Sequence, residues 1–126
     1  MKALLCTCYG GPDDLTLADL PDPVPGPGEA VVRIAAAALN FFDTLITRGK
    51  YQYKPALPFS PSGEMAGEVL SVGSGVSGFK AGDRVCAYLG WGCAREQVVA
   101  IMGQPQASMG TPVRECATYS VLKDFW

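Results

Sequence analysis

The chain has 126 residues, of which 48% are apolar and 17% charged, and its formal net charge is −2. This length suits one domain with a sizeable core rather than two. The weak negative charge, without a basic patch, argues against nucleic acid and anionic membranes as partners. No apolar run reaches the roughly 18–20 residues of a membrane span, and the apolar stretch near the start is short for a signal peptide, so we expect a cytoplasmic protein.

Short strands separated by turns are predicted along most of the chain, which contains 15 glycines and 10 prolines. Alternating apolar and β-branched residues predict strands over residues 2–7, 15–18 and 29–39. Residues 21–28 hold four prolines, which cannot donate to a sheet ladder. They predict an extended surface connection between the second and third strands.

A short helix is predicted directly after the third strand. Asn40 is a typical N-cap residue, and Asp43 stands three residues later, where a carboxylate faces the positive end of the helix. Phe42, Leu45 and Ile46 recur at helical spacing. These features predict an amphipathic helix over residues 41–48, with a glycine ending it.

Three more strands are predicted after a loop rich in tyrosine and proline, at residues 63–73, 83–89 and 94–100. The whole pattern is typical of a mainly β fold, a small and partly open β-barrel with one or two short helices. Residues 101–126 show no sustained period, and only residues 117–122 suit a strand. We therefore divide the chain into a β domain over residues 1–100 and an atypical C-terminal tail over residues 101–126.

The cysteines and the lack of histidine limit the chemistry of the chain. Five cysteines are present, no two with the C-x-x-C spacing of zinc or thioredoxin-type sites. Cys6 and Cys8 lie two apart in a predicted strand, so both are expected to be buried on one face. Without histidine the chain offers no Ser-His or Cys-His catalysis and lacks the commonest zinc ligand.

A G-x-G-x-x-G pattern occurs at residues 73–78. In dinucleotide-binding proteins this glycine pattern lies between a strand and a helix, whose N-terminus holds the pyrophosphate. Here the following residues, FKAGD, predict a turn instead of a helix start. We therefore assign this segment no cofactor role.

Five short segments of the first hundred residues are weak signals singly but specific in their order and spacing. They are Pro25-x-Pro27-Gly28-Glu29, Asn40-Phe41-x-Asp43, residues 58–67, Val72-Gly73 and residues 81–85. Together they resemble the N-terminal, GroES-like half of the medium-chain dehydrogenase/reductases, in the zinc-free quinone oxidoreductase (zeta-crystallin-like) branch. The resemblance implies a GroES-like barrel with no Rossmann domain. It also implies a truncated chain, because in the family a nucleotide-binding domain follows this part.

The resemblance also implies a reaction and a set of site residues. The reaction is hydride transfer from NADPH to a small-molecule quinone or enone. The implied catalytic residues are Asn40, Asp43 and Tyr51, and the implied cofactor-binding residues are Asn40, Tyr51 and Glu64. A tyrosine hydroxyl or an asparagine amide can donate to a carbonyl oxygen that gains charge during the reaction. Leu45 departs from the family, which often has a tyrosine at that place.

Zinc is not expected in this chain. In the zinc alcohol dehydrogenases a cysteine stands near the place of Asn40, and a Gly-His-Glu triplet supplies a second ligand. Here the matching residues are Asn40 and the triplet Ser62-Gly63-Glu64. An amide and a glycine do not replace a thiolate and an imidazole as zinc ligands.

Each implied site residue also has a structural interpretation. Asn40 suits a helix cap, and Asp43 suits a carboxylate that complements the helix dipole. Tyr51 suits an aromatic cover for the barrel mouth, and Glu64 suits a buried ion pair with Arg84. Two functional classes therefore stay open.

The first class is the substrate-side domain of an NADPH:quinone reductase, not catalytic on its own unless nucleotide binding is supplied elsewhere. The second is a non-catalytic truncated remnant or an oligomerising interaction module. In the family a later part of the chain completes the barrel, so its absence is expected to leave apolar surface uncovered. Either the tail or a second copy, in a homo-oligomer, is expected to cover that surface.

Overall fold

The computed structural model describes residues 1–102 and 114–115, and in this part the chain is mainly β, as predicted. The strands are β1 (Lys2–Cys6), β2 (Leu15–Asp19), β3 (Glu29–Ala38), β4 (Glu64–Val72), β5 (Arg84–Tyr88), β6 (Gln97–Ile101) and β7 (Arg114–Glu115). One α-helix, α1 (Phe41–Ile46), follows β3, and a 3-10 helix (Pro12–Asp14) precedes β2.

Two antiparallel sheets make up the fold. β1 and β2 form a hairpin, and the other five strands form a sheet in the order β6-β3-β4-β5-β7. The register between β3 and β4 shifts twice and leaves one residue in each strand, Leu70 of β4 and Ala35 of β3, without an opposite partner, an irregularity of the kind that bends a strand. Isolated bridges from Ala3 to Arg95 and from Cys6 to Phe59 tie the hairpin to loops of the larger sheet. Across the described residues the sheets stay open, in agreement with a partly open barrel.

The main core lies on one face of the larger sheet. It contains Ala30, Val32, Met65, Val69, Val85, Cys93, Val98, Ala100 and Met102, all buried. Because side chains alternate along a strand, Met65 and Val69 of β4 and Val85 of β5 point to this face. Glu64 begins β4 and Tyr88 ends β5. By the same alternation, both side chains point to the other face of the sheet.

A second apolar cluster packs α1 against β1. Its buried members are Cys6, Ile46 and Phe59, and partly buried aromatic residues surround them. The helix is shorter than predicted, since it ends at Ile46 and a hydrogen-bonded turn takes residues 47–49. Gly49 has φ 65°, so the glycine does end the helical segment, in the left-handed conformation that glycine adopts readily.

The start of the predicted tail belongs to the β fold. β6 runs to Ile101, and Met102 is buried in the main core, where its N–H donates to the oxygen of Gly28 at 3.0 Å. The strand predicted at residues 117–122 lies outside the described residues. The division into residues 1–100 and 101–126 stays a prediction.

The two N-terminal cysteines differ in burial, contrary to the expectation that both are buried. Cys6 is fully buried, whereas Cys8 is exposed. β1 ends at Cys6, so the alternation of a strand no longer applies to Cys8. The chain bends after Cys6, and the Cys6 thiol donates to the main-chain oxygen of Cys8 at 3.2 Å.

We expect the cysteines of the described part to differ strongly in reactivity. Burial, with smaller effects from nearby charges, raises the pKa of the Cys93 thiol to about 12, and burial also raises the pKa of Cys6. Compared with an ordinary value of 9.0, a pKa of 12 lowers the thiolate fraction of Cys93 about 1000-fold. Iodoacetamide labelling at pH 8, followed by peptide mass spectrometry, should therefore modify Cys8 long before Cys93. Rapid labelling of Cys93 in the folded Cys8→Ser variant would contradict this burial.

Candidate functional site

The four residues that the sequence indicated lie around one end of the larger sheet. Asn40 connects β3 to α1, Asp43 lies in the first turn of α1, and Glu64 begins β4. Tyr51 follows in the loop after α1, where its ring packs edge-on against Phe42 with 4.6 Å between the ring centroids. Asn40, Asp43 and Glu64 therefore lie near the end of β3 and the start of β4, and Tyr51 packs beside α1 in the second apolar cluster.

Asp43 holds two segments of this end together. It is 6% exposed, and its Oδ2 accepts the N–H of Asn40 at 2.8 Å while its Oδ1 accepts the N–H of Ser62 at 2.6 Å. Each bond joins a carboxylate to a main-chain donor, the stronger class of hydrogen bond. The start of α1 is thereby tied to the loop that enters β4. A catalytic role for Asp43 stays a prediction, and its contacts favour a positioning role.

Ser62 adds a third connection at the same place. Its φ is 68°, an uncommon conformation for a residue other than glycine. The Ser62 hydroxyl donates to the oxygen of Ala38 at 2.9 Å, at the end of β3. Bonds to Asp43 and Ala38 therefore hold this strained residue in place.

Asn40 is the N-cap residue of α1, as predicted, but its side chain makes no cap hydrogen bond. The N–H of Asp43 donates instead to the main-chain oxygen of Asn40 at 3.0 Å. The Asn40 side chain is exposed. Its amide is thus accessible to a ligand.

Glu64 is exposed, so the alternative of a buried ion pair with Arg84 is wrong. The antiparallel register places Arg84 opposite Glu68 and places Glu64 opposite Tyr88. Arg33 of β3 contacts Glu68, with Nη2 of the arginine 2.8 Å from Oε2 of the glutamate. The carboxylate of β4 that pairs with Arg33 is therefore Glu68, and Glu64 lies at the end of the strand, opposite Tyr88.

Tyr88 is the residue of this site that the sequence analysis missed. It ends β5, is half-buried and pairs in register with Glu64, which itself lies opposite Ala38 of β3. Desolvation raises the pKa of Tyr88, and electrostatic interactions with Tyr51, Glu64 and Asp43 raise it further. The alternation in β5, where Val85 faces the core, was the signal that could have placed Tyr88 on the opposite face.

Over residues 1–102 and 114–115, no three Cys, Asp or Glu side chains form a group suited to a metal ion. No helix within the same ranges has the length and apolar character needed to cross a membrane.

Comparison with known sequences gives consistent matches. The profile of the family described as "Alcohol dehydrogenase GroES-like domain" matches residues 26–121. The synaptic vesicle membrane protein VAT-1 homolog of Rattus norvegicus is 38% identical over 136 residues, which is 99% of this chain and 34% of that protein. The quinone oxidoreductase of Mus musculus is 42% identical over 89 residues, covering 70% of this chain and 27% of that protein. The chain thus spans about a third of the length of these relatives.

Solved structures of the same kinds of relatives superpose on this chain. The Escherichia coli quinone oxidoreductase complexed with NADPH superposes with a TM-score of 0.75 and 34% identity, over 80% of this chain and 31% of that chain. The human synaptic vesicle membrane protein VAT-1 homolog-like protein superposes with a TM-score of 0.76 and 33% identity, over 80% of this chain and 32% of that chain.

Proposed function

The chain belongs to the alcohol dehydrogenase GroES-like domain family of the medium-chain dehydrogenase/reductases, and on that premise we propose that it forms the substrate side of an NADPH-dependent quinone or enone reductase. Relatives named quinone oxidoreductase support this reaction at the level of the family. The chain spans about a third of their length. In this proposal, the residues that complete nucleotide binding lie outside the described part of the chain.

The observation that carries the proposal is the connection through Asp43 and Ser62, which brings the segments of Asn40 and Glu64 together at the end of β3 and the start of β4, with Tyr51 in the loop after α1. Within the described residues, the side chains of Asn40, Tyr51 and Glu64 make no hydrogen bond or ion pair. Polar groups without protein partners are available to a ligand, and few polar groups suffice to orient a ligand in a site. Asp43 and Ser62 hold the segments that carry these side chains.

The chemistry of these residues fits the nicotinamide end of NADPH and a carbonyl substrate. NADPH, when bound, supplies a hydride to the quinone or enone. The amide of Asn40 and the hydroxyl of Tyr51 are donors suited to the carbonyl oxygen, where negative charge develops. The carboxylate of Glu64 is an acceptor suited to a hydroxyl or carboxamide N–H of the cofactor.

Apolar surface beside Asn40 also fits ring-shaped ligands. Leu39 is 71% exposed and Phe41 is 76% exposed, on either side of Asn40 in the sequence. Such side chains pack well against flat rings. The glycine-rich residues 73–78 link β4 to β5 without a helix, so this segment lacks the helix N-terminus that holds the pyrophosphate in dinucleotide-binding domains.

Zinc independence and a cytoplasmic location are further parts of the proposal. An amide at Asn40 and a glycine at Gly63 stand where zinc enzymes of the family place a thiolate and an imidazole, and neither replaces them as a ligand. The composition supports a cytoplasmic location. Some of the relatives are named synaptic vesicle membrane proteins, and direct localisation of a tagged chain in cells tests this part.

Calorimetric titration of the purified chain with tetramethyl-1,4-benzoquinone and, separately, with NADPH tests the proposed function. We expect the quinone to bind, and Tyr51→Phe to weaken quinone binding about 5-fold through the loss of one hydrogen bond. Tyr9→Phe is the matched control, because Tyr9 packs beside Gly49 in the turn after α1 and is not one of the proposed site residues. A full-length quinone oxidoreductase is the positive control for both ligands.

The outcomes separate the two functional classes. Binding of both ligands would call for an assay of quinone-dependent NADPH oxidation by the chain itself. Quinone binding alone would support a substrate side whose nucleotide is bound elsewhere. Binding of neither ligand would contradict the proposal.

A non-catalytic remnant or an interaction module is the second candidate. The exposed Leu39 and Phe41 favour it, because neighbouring exposed large apolar residues are typical of contact surfaces. Light scattering that shows a stable dimer, dissociated by Leu39→Ser with Phe41→Ser, would support this candidate when neither ligand binds.

A further inference from the structure

Tyr88 lies at the candidate site, outside the five short segments that carry the resemblance to the family. We propose that its hydroxyl donates a hydrogen bond to the carbonyl oxygen of the bound quinone or enone. This inference rests on the proposed function and adds a residue that contacts the substrate.

The sheet register directs Tyr88 toward the site. Tyr88 lies directly opposite Glu64 in the antiparallel pair of β4 and β5. Side chains of directly opposed residues share one face of the sheet, with their Cβ atoms about 4.5–5.5 Å apart. Met65 and Ala87, the next pair along, contribute to the main core on the other face. Tyr88 is therefore on the same face as Glu64.

The ring of Tyr88 is held in place by a close approach to the backbone. A Cβ atom built on Gly63 would lie 2.9 Å from Cε2 of Tyr88 and 2.9 Å from the oxygen of Gly90. Glycine at position 63 thus leaves the space that the ring uses. The N–H of Leu89 donates to the oxygen of Gly63 at 2.6 Å, which continues the β4–β5 pairing past Tyr88. A ring packed this way against backbone presents its hydroxyl in a defined direction.

The hydroxyl of Tyr88 is suited to donating. Tyr88 is half-buried, and its side chain forms no hydrogen bond with any described residue. Its raised pKa keeps the phenol protonated well above neutral pH. A negative charge on Tyr51 would raise the pKa of Tyr88, so the two hydroxyls lie near the same end of the sheet. A neutral phenol stabilises an oxygen that gains negative charge, whereas the carboxylate of Glu64 would repel it.

The experiment uses tetramethyl-1,4-benzoquinone, whose ring carbons all carry a methyl group or an oxygen. The exposed thiol of Cys8 therefore has no unsubstituted ring carbon to which it could add. We expect Tyr88→Phe to raise the dissociation constant about 3- to 10-fold by calorimetry, while Tyr9→Phe leaves it unchanged. Tetramethylbenzene, which lacks the carbonyl oxygens, should bind wild type and Tyr88→Phe equally. The free energy of unfolding of each variant is measured alongside, so that a loss of fold is recognised.

A second measurement needs no substitution. In the wild-type chain labelled with ¹³C at tyrosine Cζ, the quinone should shift the Tyr88 signal, because Cζ reports on hydrogen bonding by the hydroxyl. Tetramethylbenzene should not produce that shift.

Equal quinone affinity of wild type and Tyr88→Phe would overturn the inference and leave the proposed function in place. So would a Tyr88 Cζ signal that is unchanged at saturation. Failure of the wild-type chain to bind the quinone would overturn both.

Discussion

Replacing Gly67 by alanine is expected to lower the free energy of unfolding by about 3 kcal/mol. Gly67 lies in β4, where β3 approaches so closely that an added Cβ would overlap the main-chain oxygen of Arg33. The same Cβ would lie 2.9 Å from the carbonyl carbon of Arg33 and 2.9 Å from Cγ1 of Val32. Because a backbone oxygen in a sheet cannot move aside, the β3–β4 pairing must shift. Urea unfolding followed by circular dichroism measures the loss.

Two other glycines provide matched controls for Gly67→Ala. At Gly75 nothing lies within 4 Å of an added Cβ, but φ is 77°, so Gly75→Ala should cost about 1 kcal/mol from backbone strain alone. At Gly11 the nearest atom is 3.9 Å away and φ is −84°, so alanine should be close to neutral. A Gly67→Ala loss no larger than that of Gly11→Ala would contradict the close approach of β3.

Asp43→Ala is expected to lower the free energy of unfolding by about 3–5 kcal/mol, since hydrogen bonds to a charged group contribute about 1.5–3 kcal/mol each. The variant removes the acceptor of two main-chain donors, the N–H groups of Asn40 and Ser62. The N–H of Ser62 becomes buried without its partner, and Ser62 keeps its strained conformation. Urea unfolding of Asp43→Ala beside wild type measures this loss.

Asp14→Ala is the control for the same chemistry at an exposed position. Asp14 accepts the N–H of Gly11 at 2.7 Å at the start of the 3-10 helix, in water rather than in the interior. We expect its removal to cost about 0.5–1 kcal/mol. Quinone affinity is measured on folded Asp43→Asn in addition. Unchanged stability with lost affinity in that variant would argue for a catalytic Asp43 and against the positioning role.

Local signals predicted the elements well. The predicted strands and helix lie near their observed positions. The signals that indicate them are apolar alternation, helix-capping residues and glycines, and each depends only on residues that are close in the sequence. Helix α1 begins at Phe41 as Asn40 predicted, although it ends at Ile46 rather than residue 48. The glycine-rich residues 73–78 form a connection between strands, with Gly75 and Gly78 at positive φ. The family resemblance predicted that Asn40, Asp43 and Glu64 belong to one site, which local sequence patterns do not indicate.

The sequence by itself determined the class of fold, the positions of most elements and the family. Tertiary structure alone decided which side chains meet: Glu64 opposite Tyr88 instead of Arg84, and Asp43 bonded to Ser62 across two segments. The physical reason is the range of each effect. Propensities and caps depend on near neighbours in the chain, whereas strand register and carboxylate contacts depend on how distant segments pack together, which settles the face and the partner of each side chain.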